Sequence, residues 1–130
     1  RKKGNVASFV EKCPFKIDLN RVAKQQTLAG LEELNFNNLL WDHSCVGEAL
    51  AYEFFRDCGV PAPRTAYAWL TVNVAGRWDH KPFGLYLMIE PIDQDFAADR
   101  FGGKNVPIFK PVTYSLFEDL GDEWSAYEKI

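Results

Sequence analysis

The first candidate for chemistry is a turn near the start of the chain, at Gly4 and Asn5. These residues follow a basic run that ends at Lys3, and they precede a strand-like segment. Backbone N–H groups in such a turn, together with neighbouring positive charge, can converge on a phosphate group. A solvated charge cluster is the more common interpretation of a basic run. The turn is therefore a candidate anion site whose use depends on what lies beside it.

Glu90 is the second candidate, because it ends the strongly apolar run at residues 84–89. A carboxylate in that position costs free energy unless it is paired or lies exposed at the end of a strand. We expect a lysine to be its partner. The chain offers Lys12, Lys16 and Lys110 for this role.

Two other polar groups have simpler structural interpretations. Asp42, His43 and Ser44 are the residue types of a hydrolytic triad, but a triad is assembled from distant segments and adjacent residues cannot converge. Asp93 and Asp95 could hold a hard cation, although acidic residues at a helix N-terminus explain them without one. No C-x-x-C occurs and the histidines lack ligand spacing, so we predict no metal site.

One helix is the best-defined element that would position these groups. Asp42 and Ser44 supply capping oxygens for unpaired N–H groups of a first turn. Apolar residues then recur every four positions over residues 46–58, which predicts an apolar stripe on a helix. Gly59 is suited to end this helix, and two prolines after it prevent its resumption.

An antiparallel hairpin is the best-defined pair of strands. Residues 66–74 and 83–89 are rich in β-branched and aromatic side chains, and residues 75–82 form a polar connection. The pattern predicts a hairpin with an eight-residue loop that exposes Trp78.

The remaining elements complete an α+β fold, a mostly antiparallel sheet with one main helix packed on it. We predict further strands at residues 15–19, around residues 31–36, and at a sheet edge over residues 106–112. A second helix is predicted over residues 93–101 and a helical turn over residues 114–120.

Composition excludes several classes of protein. Residues 1–130 are about the length of a single domain or lobe, with 47% hydrophobic, 25% charged and 15% aromatic residues, so the chain is globular rather than disordered. Its net charge of −3 offers no broad basic field for nucleic acid. The longest apolar run is far shorter than the roughly 20 residues that a membrane span needs.

The three cysteines suggest free thiols. Cys45 and Cys58 lie at opposite ends of the predicted helix, about 20 Å apart at its usual rise per residue. A disulfide requires Cα atoms within about 7 Å, so these two cannot pair, and with Cys13 the count is odd.

Read in order, these segments resemble the spore-coat CotH family of atypical protein kinases. The opening residues 3–8 and 11–18 look like the family's R-G-N-x-S and K-K-x-[YF]-K-[IL] blocks, with Lys3 in place of the usual Arg. The later blocks that are similar to the family's lie at residues 30–38, 48–55, 59–67, 72–73, 84–96 and 108–110.

The resemblance implies a fold like the N-terminal lobe of an atypical protein kinase, and a site for ATP with Mg²⁺. Lys12 or Lys16 would reach the α/β phosphates, and Glu90 would hold that lysine. The Gly4–Asn5 turn with Lys3 would lie over the phosphates, and Lys110 near the edge between the lobes. The phosphoacceptor would be a coat or surface protein, outside the cell, at the cell surface or on the spore coat.

The family's downstream acidic segments, which hold Mg²⁺ and orient the hydroxyl, do not occur in these residues. We therefore expect no catalytic residues here and no activity from this chain alone. We interpret the chain as the N-terminal lobe of a longer enzyme, with an apolar face exposed where the C-terminal lobe would pack. The alternative is a non-catalytic secreted surface-binding module or adhesin, for which an exposed Trp78 would suit sugar or protein contact.

Overall fold

A computed structural model describes residues 12–103, 106–108, 121–123 and 125. Within these residues the chain forms four strands and two helices, the α+β arrangement that we predicted. In chain order they are β1 Phe15–Asp18, β2 Glu33–Asn37, α1 Gly47–Asp57, β3 Thr65–Val74, β4 Trp78–Ile89 and α2 Gln94–Phe101.

The four strands form one antiparallel sheet in the order β1-β2-β4-β3. The predicted hairpin of β3 and β4 supplies one half. The other half is β1 with β2, which pairs with β4 through Asn35, Phe36 and Asn37. Because β2 pairs only with the last part of β4, the other end of the β3–β4 hairpin extends beyond β2.

One face of the sheet carries the aromatic core. Alternate residues of a strand point to one face, and the register places Phe15 opposite Phe36. Their ring centroids lie 4.8 Å apart, and the ring of the fully buried Tyr86 packs edge-on at 5.5 Å from Phe15. Leu34 completes the buried part of this cluster. This core fixes the register of β1, β2 and β4.

The predicted eight-residue hairpin loop is wrong. β4 begins at Trp78, which pairs with Val74, so only residues 75–77 connect the two strands. Two register shifts in the ladder, between Leu70 and Thr71 and between Val72 and Val74, each leave an extra residue on β4, so the polar segment joins the ladder as irregular strand. Pro82 is tolerated because β2 pairs only with residues 87–89, so that edge of β4 is unpaired at Pro82 among the described strands.

Both predicted helices are confirmed, with their ends set by the expected residues. The Asp42 carboxylate accepts hydrogen bonds from the backbone N–H of Gly47 at 2.7 Å and of Ser44 at 3.0 Å. Its hydrogen bond from the Ser44 hydroxyl, and then those backbone bonds, lower the pKa of Asp42. In α2, Asp93 accepts from the backbone N–H of Phe96 at 3.1 Å.

The apolar stripe of α1 lies on the surface instead of against the sheet. Leu50 is 61% exposed and Phe54 is 63% exposed, and none of the residues of α1 is buried. The segment that precedes the helix is joined to β3 by the hydrogen bond from Tyr67 Oη to the backbone oxygen of Cys45 at 2.6 Å. The helix therefore contacts the sheet at β3 without burying its apolar stripe there.

Several remaining predictions concern the C-terminal third. Residues 106–108 are described without strand structure, and the rest of the predicted edge strand and the turn at 114–120 lie outside the described residues.

Cys13, Cys45 and Cys58 are free thiols, as expected. Among the described residues, no helix has the length and apolar character needed to span a membrane.

Candidate functional site

Glu90 is the most constrained charged side chain that the structure describes. It is only 5% exposed and directly follows β4. Arg64 Nη2 donates to Oε1 at 2.8 Å, and the Arg64 backbone N–H donates to Oε2 at 2.9 Å. Arg100 Nη2 donates to Oε2 at 2.8 Å. Both carboxylate oxygens are thus held by guanidinium groups.

Local sequence explains this meeting of three residues. Arg64 precedes β3, and Thr65 pairs with Ile89, so the hairpin register brings Arg64 beside Glu90. A backbone hydrogen bond from Glu90 to the Arg64 oxygen, at 2.9 Å, continues the ladder by one residue. Arg100 comes from the last turn of α2, where its guanidinium lies 4.7 Å from the centroid of the Phe96 ring.

The cluster keeps Glu90 ionised. Burial by itself would raise the pKa of Glu90, but the side-chain and backbone hydrogen bonds from Arg64, and the charges of Arg100 and Arg64, together lower it. Reciprocally, the hydrogen bond and charge of Glu90 raise the pKa of Arg64. The buried carboxylate is therefore compensated by two guanidinium groups, and Arg100 also pairs with the exposed carboxylate of Asp99, so the cluster carries no surplus positive charge.

The expected lysine partner of Glu90 is wrong in the described part of the chain, where two arginines take that place. Lys16 instead pairs with Glu33 across β1 and β2, with 2.6 Å between Nζ and Oε1. The position of Arg64 in the sequence is a signal for this contact. Arg64 stands at the base of the hairpin, directly across from Glu90 once the strands are paired.

Glu90 and its arginines line one side of a groove of about 680 Å³. The segment between β1 and β2 forms the opposite side and contributes Arg21 and Lys24. Asn20 also lines the groove, and its Oδ1 atom is buried with no hydrogen-bond partner in the described structure. Four cations line the groove, but so do seven carboxylates: Asp18, Glu32, Glu33, Glu90, Asp93, Asp95 and Asp99. The groove therefore has no net positive charge, and it offers individual guanidinium and ammonium donors and the Asn20 acceptor to a polar ligand.

A second cavity of about 390 Å³ adjoins the groove and brings Lys16 to it. The two share Asp18, Arg21 and Glu33 among their lining residues. The structure thus places Lys16 and Glu90, both predicted site residues, around one continuous region. Among the described residues there is no group of three or more His, Cys, Asp or Glu side chains that could hold a metal ion.

Lys12 lies in a different place from Lys16. Its ammonium is 5.0 Å from the centroid of the Tyr86 ring, and its backbone oxygen accepts from Asn38 Nδ2 at 2.6 Å. It lines a cavity with Lys81 at the other end of β4. The remaining predicted site residues, Lys3, Gly4, Asn5 and Lys110, lie outside the described residues.

Trp78 is not the exposed loop residue that we expected. It lies at the start of β4 and is half-buried, with its ring edge-on to Phe83 at 5.4 Å. Among the described tryptophans, Trp41 is 82% exposed and Trp69 is 70% exposed.

One link between sheet and helix was missed from the sequence. Asn37 Nδ2, at the end of β2, donates to Glu48 Oε2 in the first turn of α1. Polar side chains at a strand end can be recognised from sequence, whereas their partner depends on where the helix returns.

Two comparisons with known proteins bear on this site. A family model described as CotH kinase protein matches residues 1–129. A curated relative, an inner spore coat protein H-like protein of Bacillus subtilis (strain 168), is 36% identical over 69 residues, which are 53% of this chain. The matched segment covers 20% of that relative, so the similarity spans about a fifth of its length.

Proposed function

The chain belongs to the CotH family, and on that premise we propose that it forms the nucleotide-covering lobe of a protein kinase. The observation that carries the proposal is the groove between Glu90 and the β1–β2 segment, with Lys16 in the adjoining cavity. In this role the lobe binds ATP, and the chemistry of transfer belongs to acids elsewhere in the polypeptide.

Lys16 is the lysine that we assign to the phosphates of ATP. Its partner Glu33 orients the ammonium, as a carboxylate does for the nucleotide-binding lysine of other kinases. Arg21 lines both cavities and adds a guanidinium suited to a phosphate oxygen. Lys12 is the weaker candidate, because it faces the Tyr86 ring and a separate cavity.

Glu90 has a positioning role in this proposal. Since Arg64 and Arg100 already occupy both of its oxygens, it fixes these two guanidinium groups at the groove. The orphaned Oδ1 of Asn20 supplies an acceptor for a hydroxyl or amino group of the nucleoside. The Gly4–Asn5 turn with Lys3 covering the phosphates, and Lys110 near the lobe edge, are parts of the same proposal.

Mg²⁺ accompanies ATP in phosphoryl transfer and neutralises its phosphate charge. The described residues supply cations for the phosphates and no metal-binding cluster, so we assign the metal-holding acids to the segments downstream of this lobe. The phosphoacceptor that we propose is a coat or surface protein, and the location is the spore coat. Support for that location comes from the family and from the name of the Bacillus relative.

Calorimetric titration of the full-length protein with Mg-ATP tests the proposal. We expect Lys16→Ala to weaken ATP binding by about tenfold or more, and the matched variant Lys12→Ala to stay within about twofold of wild type. Unchanged ATP affinity in Lys16→Ala would contradict the assignment of this lysine. Loss of affinity in both variants alike would place the phosphates elsewhere.

A non-catalytic surface-binding module is the second candidate, favoured by the exposed indoles of Trp41 and Trp69. Exposed aromatic rings with a polar edge suit sugar or protein contact. The same calorimetry separates the two functions. A wild-type protein that binds no Mg-ATP would favour the binding module.

A further inference from the structure

Strand β3 forms one edge of the sheet, and no strand pairs with its outer side among the residues that the structure describes. It runs for ten residues, whereas β1, at the opposite edge of the described sheet, has four. An unpaired edge presents a row of backbone N–H and C=O groups to which another strand can bind. β3 is therefore the longer of the two edges of this sheet.

The sequence of β3 lacks the features that usually keep an edge strand from pairing. Such strands are protected by charged residues, by proline or by a bulge. β3 contains no charged residue and no proline, and the extra residues at its two register shifts lie on β4. The short strand β1, by contrast, carries Lys16 and Asp18. The long edge is thus the one that is chemically open to a partner strand.

The hydrogen bonds of the hairpin show which residues of β3 turn their backbone outward. The backbone N–H of Glu90 donates to the Arg64 oxygen at 2.9 Å, so the backbone of Arg64 faces the β4 side. Successive residues of a strand point their backbone groups to opposite sides, so those of Thr65, Tyr67 and Trp69 face away from β4. The side chains of Tyr67 and Trp69 are also exposed, by 46% and 70%.

The sequence of β3 is symmetric in side-chain type about Ala68. Aromatic residues flank this alanine, aliphatic residues come next and threonines follow, in the order Thr65, Ala66, Tyr67, Ala68, Trp69, Leu70 and Thr71. Two such strands, antiparallel and centred on Ala68, would place Tyr67 opposite Trp69 and Thr65 opposite Thr71. Aromatic pairs and threonine pairs stabilise adjacent strands, and no like charges would meet. The edge is therefore complementary to itself, as a two-fold interface requires.

We propose that β3 pairs antiparallel with β3 of a second copy of this chain, centred on Ala68, so that two four-stranded sheets become one sheet of eight strands. Tyr67 then forms a hydrogen-bonded pair with Trp69 of the partner subunit, and Ala68 lies opposite Ala68 of the partner subunit in a non-hydrogen-bonded pair. An extended peptide of another protein would use the same backbone groups but would not require the symmetry of β3. The proposal goes beyond nucleotide binding and does not depend on it.

Sedimentation velocity of the full-length protein over a range of concentrations tests this inference. We expect a reversible equilibrium between monomer and dimer. The double variant Tyr67→Lys/Trp69→Lys should weaken dimerisation by about tenfold or more, because each new positive charge faces another across the two strands. The matched double variant Val22→Lys/Leu28→Lys adds the same charge at exposed apolar positions outside β3 and should stay within about twofold of wild type.

A mixture of oppositely charged variants identifies the occupant of the edge. Tyr67→Glu/Trp69→Glu should also weaken dimerisation, and its equal mixture with Tyr67→Lys/Trp69→Lys should restore a dimer, since opposite charges then meet. A mixture that stays monomeric would overturn the proposal and would indicate that another protein, or another segment of the chain, covers β3. A wild type that is monomeric at every concentration, or equal weakening by the Val22→Lys/Leu28→Lys control, would also overturn it.

Ala68→Cys tests the register, and it decides the outcome if circular dichroism shows that a charged variant is misfolded. Opposed residues of a non-hydrogen-bonded pair have Cα atoms about 4.5 Å apart, which a disulfide can bridge. Mild oxidation should therefore link Ala68→Cys into a covalent dimer. Wild type, with the cysteines already present, and Val74→Cys, far from the two-fold axis on the same strand, should stay largely unlinked. No link in Ala68→Cys, or equal linking in all three proteins, would overturn the proposal.

Discussion

Arg64 Nη2 lies 2.8 Å from Glu90 Oε1, although the two residues are 26 positions apart in the chain. The pair joins the residue before β3 to the residue after β4, so it closes the base of the hairpin. Arg100 extends the contact to α2 through the other carboxylate oxygen. One buried carboxylate therefore fixes the hairpin and the second helix relative to each other.

Replacement of Glu90 by Gln should destabilise the protein. The neutral amide lacks the negative charge that pairs with both guanidinium groups, and Arg100, whose side chain is only 16% exposed, would keep only its ion pair with the exposed Asp99. We expect a loss of about 2–4 kcal/mol in the free energy of unfolding, measured by urea denaturation. Glu53→Gln, at an exposed position of α1, is the matched control and should change it by less than about 0.5 kcal/mol. Equal midpoints for the two variants would show that the cluster adds no stability.

Acid should remove the contribution of this cluster. The pKa of Glu90 is lowered in the folded protein from its ordinary value of 4.5, so on acidification the unfolded chain takes up the proton first. The stability from Glu90 is complete above about pH 4.5 and is lost as pH falls through the folded pKa. We expect the difference in unfolding free energy between wild type and Glu90→Gln to shrink below that pH. A difference that stays constant into strong acid would contradict this.

Two leucines should differ sharply in what they contribute. Leu87 is fully buried in β4, and Leu87→Ala should cost about 2–5 kcal/mol of unfolding free energy, because it leaves a cavity. Leu50 lies on the exposed stripe of α1, 61% exposed, and Leu50→Ala should cost less than about 0.5 kcal/mol. Denaturant titration of both variants measures the contrast. A large loss in Leu50→Ala would show that the stripe is covered in solution.

Alkaline conditions should destabilise the folded protein through Tyr86. Burial, with a smaller effect of Cys13, raises the pKa of Tyr86 from 10.0 to about 12. Between these values the unfolded chain loses the phenol proton while the folded protein retains it, so stability falls as pH rises from 10 to 12.

Tyr86→Phe measures this effect. It removes the weak hydrogen bond from the phenol to the Cys13 backbone oxygen, at 3.3 Å, which should cost about 0.5–1 kcal/mol at neutral pH. It should also lose less stability than wild type between pH 10 and 12. Tyr67→Phe, at an exposed position, should leave the alkaline loss in place. Parallel pH profiles for wild type and Tyr86→Phe would rule out this role for the phenol.

Local signals in the sequence predicted most of the helices and strands, but fewer of the contacts between them. Capping oxygens at Asp42 and Asp93 and the glycine at position 59 define helix ends, because those contacts are made within a few residues. The partner of Glu90 depends on the hairpin register, which extra residues on β4 shift relative to a regular ladder.

The amphipathic pattern of α1 shows a different limit. Periodicity identifies which side chains share a face of a helix, but it does not determine whether another part of the protein covers that face. Leu50 and Phe54 share such a face and remain exposed in the described structure. The polar segment that begins at Trp78 was predicted to be a loop for a related reason. A strand segment that is exposed on both faces does not need alternating apolar and polar residues.

Helix α1 should unfold independently of the sheet, because none of its side chains is buried. Since it can detach without opening the Phe15–Phe36–Tyr86 core, its amide protons should exchange with solvent through a local transition. The amides of β2 and the paired part of β4 should instead exchange only when the whole sheet unfolds. The described part of the chain therefore consists of two cooperative units of unequal stability, and any molecule that binds the apolar face of α1 would stabilise the weaker unit alone.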